Sequence, residues 1–238
     1  MAKASFELDL AAFRDRLAKI ESRIAEVAGN RSCPQIVVVS KYLSADDCST
    51  LRGEDFGPLG ENRAQDLEQK VGIAEDQEGW HFIGHLQRNK VATVIPRVSC
   101  LHSLDSDRLA RQIDRFLEER GSPPLDVLVQ VNVSGESSKG GLAPFEATEQ
   151  VLAWTEQLQN LRITGLMTMA PIGDLDTSRL VFQALRELKE RIRESLPAEA
   201  ADHFNELSMG MSNDFEVAVE EGATLLRLGR ILYSGEAG

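Results

Sequence analysis

The chain has 238 residues, 42% hydrophobic and 27% charged, with a formal charge of −12. That length suits one large α/β domain, and the acid excess argues against a general nucleic-acid binder, whose surface must be basic. No apolar run reaches the ~18–20 residues that span a bilayer, and MAKASFELDL lacks the apolar stretch of a secretory signal, so a cytoplasmic protein with no membrane partner is expected.

Residues 5–28 carry Phe6, Leu10, Phe13, Leu17, Ile20, Ile24 and Val27. Spacings of three and four predict an amphipathic helix, which Gly29-Asn30 would close. The stretch QIVVVSKYL, residues 35–43, is a β-branched run that predicts a strand buried on both faces, ending at Lys41. Ser44 is expected to cap a short helix reaching about residue 51. A pattern then repeats. A short apolar stretch at 56–60 leads through Glu61-Asn62 into a helix to about residue 71. A strand at 80–83 precedes a helix over 87–95. A strand at 98–104 precedes a helix that Asp105 would cap. Pro123-Pro124 breaks the chain before a strand at 125–133. A helix over 145–158, a strand at 163–169 and a helix over 177–196 follow. The series ends with a strand at 206–209, a helix from Ser212 to about residue 221, and a strand at 225–228. Cys33, Cys48 and Cys100 are odd in number and far apart, as expected of reduced thiols.

Eight strand candidates separated by helices predict an α/β fold, a single (β/α)8 TIM-type barrel over residues 1–238, with residues 1–30 as an additional helix packed on it. An open doubly wound sheet is the alternative. No GxGxxG follows the first strand, which weakens a dinucleotide-binding reading.

In a barrel, residues at the carboxyl ends of the strands share one mouth. Lys41 is a lysine at the end of a buried strand, on the face of Val37 and Val39. A partly desolvated amine can attack an aldehyde to form a Schiff base, although a strand-end lysine can also snorkel to solvent. Asn62, His81, Asn132, Met167 and Ser208 stand at the ends of later strands, where asparagine and serine also serve as turn or cap residues. Arg227 lies between leucines, and a buried guanidinium needs specific partners. Gly229 faces the same side and lets a ligand approach the backbone. The segment from Ser208 to Ser212 (SMGMS) precedes a helix and suits a phosphate, to which Arg230 adds charge. An aldehyde-seeking lysine, a phosphate cradle and a deep arginine together suggest pyridoxal 5′-phosphate. His81 and His85 are four apart, but the strand-like HFI and Gly84 argue against a shared helix face, so no metal is expected. No GxSxG elbow is present. Lys139 reads as a solvated loop charge or a secondary ligand contact.

The segments VVVSK, LGENRAQ, WHFIGHLQRNK, VQVNVSGESSKGGL, GLMTMAP and LSMGMSNDFEVAVEEGATLLRLG together resemble the pyridoxal phosphate homeostasis protein family. That family is similar to the barrel domain of alanine racemase, the fold type III group. The resemblance implies that Lys41 is the Schiff-base lysine, that Ser208, Ser212 and Gly229 surround the phosphate, and that Arg227 faces the pyridine nitrogen. It places Asn62, His81, Asn132 and Met167 around the cofactor. Two positions depart from the family pattern. Tyr42 stands where threonine is common, and strand alternation would turn it away from the mouth. Arg230 stands where a small hydroxyl residue is usual.

The resemblance implies a non-catalytic pyridoxal 5′-phosphate protein of cofactor homeostasis, with no catalytic residue. It is expected to act as a monomer, with pyridoxal-phosphate-dependent apoenzymes as candidate partners. The alternative is an amino-acid racemase, which needs a second acid/base across the cofactor. Alanine-racemase-like enzymes take a tyrosine from an added β-domain. No such domain is expected beyond the eighth strand, and the tyrosines of this sequence are Tyr42 and Tyr233. An arginine at the pyridine nitrogen also weakens the ring as an electron sink.

Overall fold

A computed structural model describes residues 7–71, 79–136, 140–171 and 173–234. Its strands are β1 (Gln35–Val39), β2 (Leu59–Glu61), β3 (Trp80–Phe82), β4 (Cys100–Leu104), β5 (Leu125–Gln130), β6 (Leu161–Met167), β7 (Glu206–Ser208) and β8 (Leu225–Leu228). They close into a barrel in chain order, every neighbouring pair parallel, with β8 returning to β1. This is the (β/α)8 barrel with an extra amino-terminal helix. Among the described residues no helix is long and apolar enough to cross a membrane.

The extra helix, α1 (Leu10–Ala28), buries Phe13, Leu17, Ile20 and Ile24. The Asp9 carboxylate accepts from the Ala12 amide at its start, and Gly29 adopts φ +61° at its end, a conformation that favours glycine. The stripe packs against α9 (Phe215–Glu220) and α10 (Arg230–Tyr233), beside the closing strand of the barrel.

Two cores follow from the alternation of the strands. Val38 and its outward neighbours pack beneath the helices in the large outer core. Inside the barrel, Val37, Cys100, Leu128, Met167 and Leu225 form a small apolar cluster. These few side chains do not fill the interior, which also contains the buried polar groups of His102, Ser208 and Arg227. The register that pairs Val37 with Arg227 sets the guanidinium level with the apolar cluster. At the bulged β5–β6 pairing, Gly165 lets the chain approach β7, since a Cβ there would lie 2.0 Å from the Glu206 carbonyl oxygen.

Several expectations are corrected. The single helix over 87–95 is replaced by a 3-10 turn (Arg88–Lys90), one turn of α4 (Val91–Val94) and a second 3-10 turn (Ile95–Arg97). The β-branched residues and Pro96 oppose a continuous helix here. Asp105 does not cap α5 (Asp107–Glu118), whose N-cap position is Ser106; its carboxylate meets His85 instead. Ser212 does not cap α9, whose N-cap position is Asp214. Strand β5 stops at Gln130, leaving Asn132 in the following loop. Arg230 opens helix α10, which the apolar pattern did not reveal. A short helix, α8 (Ala198–His203), also separates α7 (Leu175–Ser195) from β7. Lys139 lies outside the described residues.

Candidate functional site

At the carboxyl end of the barrel a cavity of about 730 Å³ opens. Lys41, Asn62, Ser212, Arg227, Gly229 and Arg230 all line it. Strand β1 ends at Val39, so Lys41 sits in a turn closed by the Leu43 amide on the Ser40 carbonyl. That turn is fastened from beneath. The Tyr233 hydroxyl donates to the Val39 carbonyl at 2.9 Å, and Lys70 Nζ donates to the Ser40 carbonyl at 2.8 Å. The buried Glu61 carboxylate accepts from Lys70 Nζ at 2.6 Å, from Ser40 Oγ at 3.2 Å and from the Asn62 amide at 2.8 Å. A buried acid is stable only when compensated in this way.

The turn also changes the place of Tyr42. Strand alternation no longer governs residues 41 and 42, and Tyr42 lines the same cavity as the lysine, its ring centroid 4.9 Å from Lys41 Nζ. The expectation that Tyr42 turns away from the mouth is therefore overturned.

Asn62 lines the cavity beside the loop after β3, whose Gly84 packs so close that a Cβ there would lie 2.1 Å from the Asn62 carbonyl oxygen. Its Oδ1 is buried and has no hydrogen-bond partner among the described residues. An acceptor left bare in a cavity wall costs free energy unless a ligand completes it.

Arg227 is 4% exposed, and desolvation by burial lowers its pKa to about 10 despite the opposing charge of Asp214. It donates from Nη1 to Ser208 Oγ at 2.7 Å and from Nη2 to the Thr168 carbonyl at 2.9 Å. At the wall beside it, Ser212, Gly229 and Arg230 cluster. Arg230 is exposed and forms no ion pair among the described residues. The cavity thus gathers Lys41, Arg227 and Arg230 on a chain that is acidic overall, with Asp174 and Asp214 as its carboxylates. Asp174 caps α7, and Asp214 accepts from the Met211 amide.

Four candidates lie away from the cavity wall. Ser208 is fully buried and spends its hydroxyl on Arg227 and His102. Met167 belongs to the apolar cluster inside the barrel. His81 points inward from β3 and meets His102. Asn132 folds its side chain onto its own loop, accepting from the Gly135 amide and donating to the Glu136 carbonyl. Sequence reasoning in turn missed Gln130, which lines the cavity, the Glu61–Lys70 pair, and His102. The signal for His102 was partial: it is a titratable residue inside a buried strand, but its neighbours are Leu101 and Ser103, so no apolar run marks it as the leucines mark Arg227.

Residues 8–237 match the family described as alanine racemase, N-terminal domain. The chain is 37% identical over 225 residues to the pyridoxal phosphate homeostasis protein of Aquifex aeolicus, covering 92% of this chain and 96% of that one. It is 38% identical over 212 residues to the human pyridoxal phosphate homeostasis protein, covering 84% of this chain and 76% of that one. The solved structure of PipY from Synechococcus elongatus, with PLP bound, superposes with a TM-score of 0.79 at 30% identity, covering 93% of this chain and 100% of that one. A closed barrel whose mouth carries a lysine, an arginine at depth and an unpartnered amide oxygen agrees with these likenesses. The chain belongs to the pyridoxal phosphate homeostasis protein family.

Proposed function

We propose that the chain is a non-catalytic pyridoxal 5′-phosphate-binding protein of cofactor homeostasis, holding the cofactor in the cavity at the carboxyl end of the barrel. The observation that carries this is the Lys41 amine in a cavity that also gathers Arg227 and Arg230. The cofactor supplies an aldehyde that condenses with an amine, losing water, and among the described residues Lys41 is the amine that borders this space. Arg227 would serve the ring nitrogen, and Asn62 Oδ1 would accept a hydrogen bond from the ring hydroxyl. Ser212, Gly229 and Arg230 would hold the phosphate, the arginine through a charge-assisted bond. Ser208, His81, Asn132 and Met167 have no direct contact in this reading. The carrier acts as a single chain that passes its cofactor to apoenzymes.

The racemase reading is weaker on two counts. Tyr42 borders the cavity, but it stacks against Lys41 on the same turn instead of standing on the opposite wall. An arginine at the ring nitrogen opposes protonation there, and the ring withdraws electrons less well. Titration of the purified protein with pyridoxal 5′-phosphate, followed by assay against a panel of L-amino acids, tests the proposal. Saturable uptake without racemised product is expected; robust turnover would contradict it.

A further inference from the structure

Beneath the cavity a file of polar side chains crosses the barrel from β8 to β3. Arg227 Nη1 donates to Ser208 Oγ at 2.7 Å. Ser208 Oγ lies 2.8 Å from His102 Nδ1, and His102 Nε2 lies 3.0 Å from His81 Nδ1. Ser208 and His102 are fully buried. His81 also borders a second cavity, of about 410 Å³, at the amino-terminal end of the barrel.

The file has a direction, and the guanidinium sets it. Arginine only donates, so Ser208 Oγ must accept from Arg227. The hydroxyl has one proton, and among the described residues the remaining acceptor within reach is His102 Nδ1. A buried hydroxyl proton without an acceptor is costly. Nδ1 of His102 is therefore bare, and the neutral ring carries its proton on Nε2. That N–H points at His81 Nδ1, which must accept. His81 in turn carries its proton on Nε2, the nitrogen left for the amino-terminal cavity. Both rings are neutral: burial holds His81 down to about 4 and His102 well below the usual range.

We propose that His102 is a positioning residue that acts through Ser208 to fix Arg227, and that Arg227 imposes the Nε2–H tautomer on both His102 and His81. The consequence for the cavity is geometric. Ser208 and the Thr168 carbonyl take one N–H each from the two ends of the guanidinium, so its plane is fixed and the remaining donors are presented in a constant direction. Pre-setting a donor before a ligand arrives removes the ordering cost from binding. What those donors meet, the ring nitrogen of pyridoxal 5′-phosphate, rests on the function proposed above; the file itself does not.

A metal is the competing use of these side chains, because the ligand atoms of His81, Cys100 and His102 all lie within 4.8 Å of one another. The direction of the file opposes it. The nitrogen that His102 would offer bears the proton that the nitrogen of His81 accepts.

Long-range proton–nitrogen correlation spectra of the full chain, labelled at its four histidines and free of ligand, decide the matter. His81 and His102 should both appear as neutral Nε2–H tautomers, and Ser208→Ala should shift the Nδ1 resonance of His102. A wild-type His102 carrying its proton on Nδ1, or stoichiometric Zn²⁺ binding that Cys100→Ser abolishes, would overturn the proposal. Because no cofactor is present, this result stands apart from any failure of the protein to bind pyridoxal 5′-phosphate. In the loaded protein, His102→Phe should weaken binding roughly threefold to tenfold and alter the visible spectrum, as expected when one neutral hydrogen bond in the file is lost. His102→Gln, which keeps an acceptor and a donor, should recover part of both. A merely structural histidine would lower the melting temperature in His102→Phe and leave the spectrum of the folded variant unchanged, and that outcome also contradicts the proposal.

Discussion

Lys70 Nζ lies 2.6 Å from Glu61 Oε2 in the interior, and the same ammonium donates to the Ser40 carbonyl, one residue before Lys41. The side chains are 6% and 0% exposed, so this pair is not a surface ion pair. Its role is to hold the turn that aims the candidate lysine.

Removing one partner should therefore be costly. Glu61→Ala leaves a buried ammonium without its counter-charge, and about 3–5 kcal/mol of stability should be lost. Chemical denaturation measures it. Glu61→Leu combined with Lys70→Met should recover much of that loss, because an apolar pair leaves no charge stranded. A loss below about 1 kcal/mol for Glu61→Ala would place the pair with ordinary surface bridges.

Asn62 predicts a split between stability and binding. Its Oδ1 has no partner among the described residues, so Asn62→Ala should leave the ligand-free protein as stable as before or slightly more so. The same change should weaken pyridoxal 5′-phosphate by about 0.5–1.5 kcal/mol, one neutral hydrogen bond. Thermal melts with and without the cofactor report both quantities. Equal binding by the variant would remove Asn62 from the site.

Arg230 tests the phosphate end. Arg230→Ala should weaken pyridoxal 5′-phosphate far more than unphosphorylated pyridoxal, by roughly 1.5–3 kcal/mol for a charged hydrogen bond, and toward the lower figure for so exposed a side chain. Arg230→Thr should restore part of the difference, since a hydroxyl can replace one of the lost bonds. Equal small losses for the two ligands in titration would assign Arg230 to the surface.

The barrel was legible because the inner strands announce themselves. A run such as residues 36–39 is too apolar and too β-branched for an exposed element, and eight strand candidates between helices leave few architectures. That Lys41 and Arg227 border one cavity was legible for a related reason, since charge in or just beyond a buried strand demands a partner. The failures cluster where the period of two stops. Tyr42 was misplaced because β1 ends at Val39, and Asn132 because β5 ends at Gln130. Ser208 was expected at the phosphate from the SMGMS segment and from the resemblance, whereas its hydroxyl bonds His102 and Arg227, side chains distant in the sequence. No local pattern encodes a pairing across 106 positions.

The central claim is that Lys41 is the amine that holds the cofactor. The direct measurement is borohydride reduction of the protein loaded with pyridoxal 5′-phosphate, followed by peptide mapping in a mass spectrometer. Reduction makes the link permanent, so the modified residue identifies itself. The account predicts one adduct, on Lys41, and none in a folded Lys41→Ala variant. An adduct on Lys139 or another lysine, with Lys41 unmodified, would contradict it.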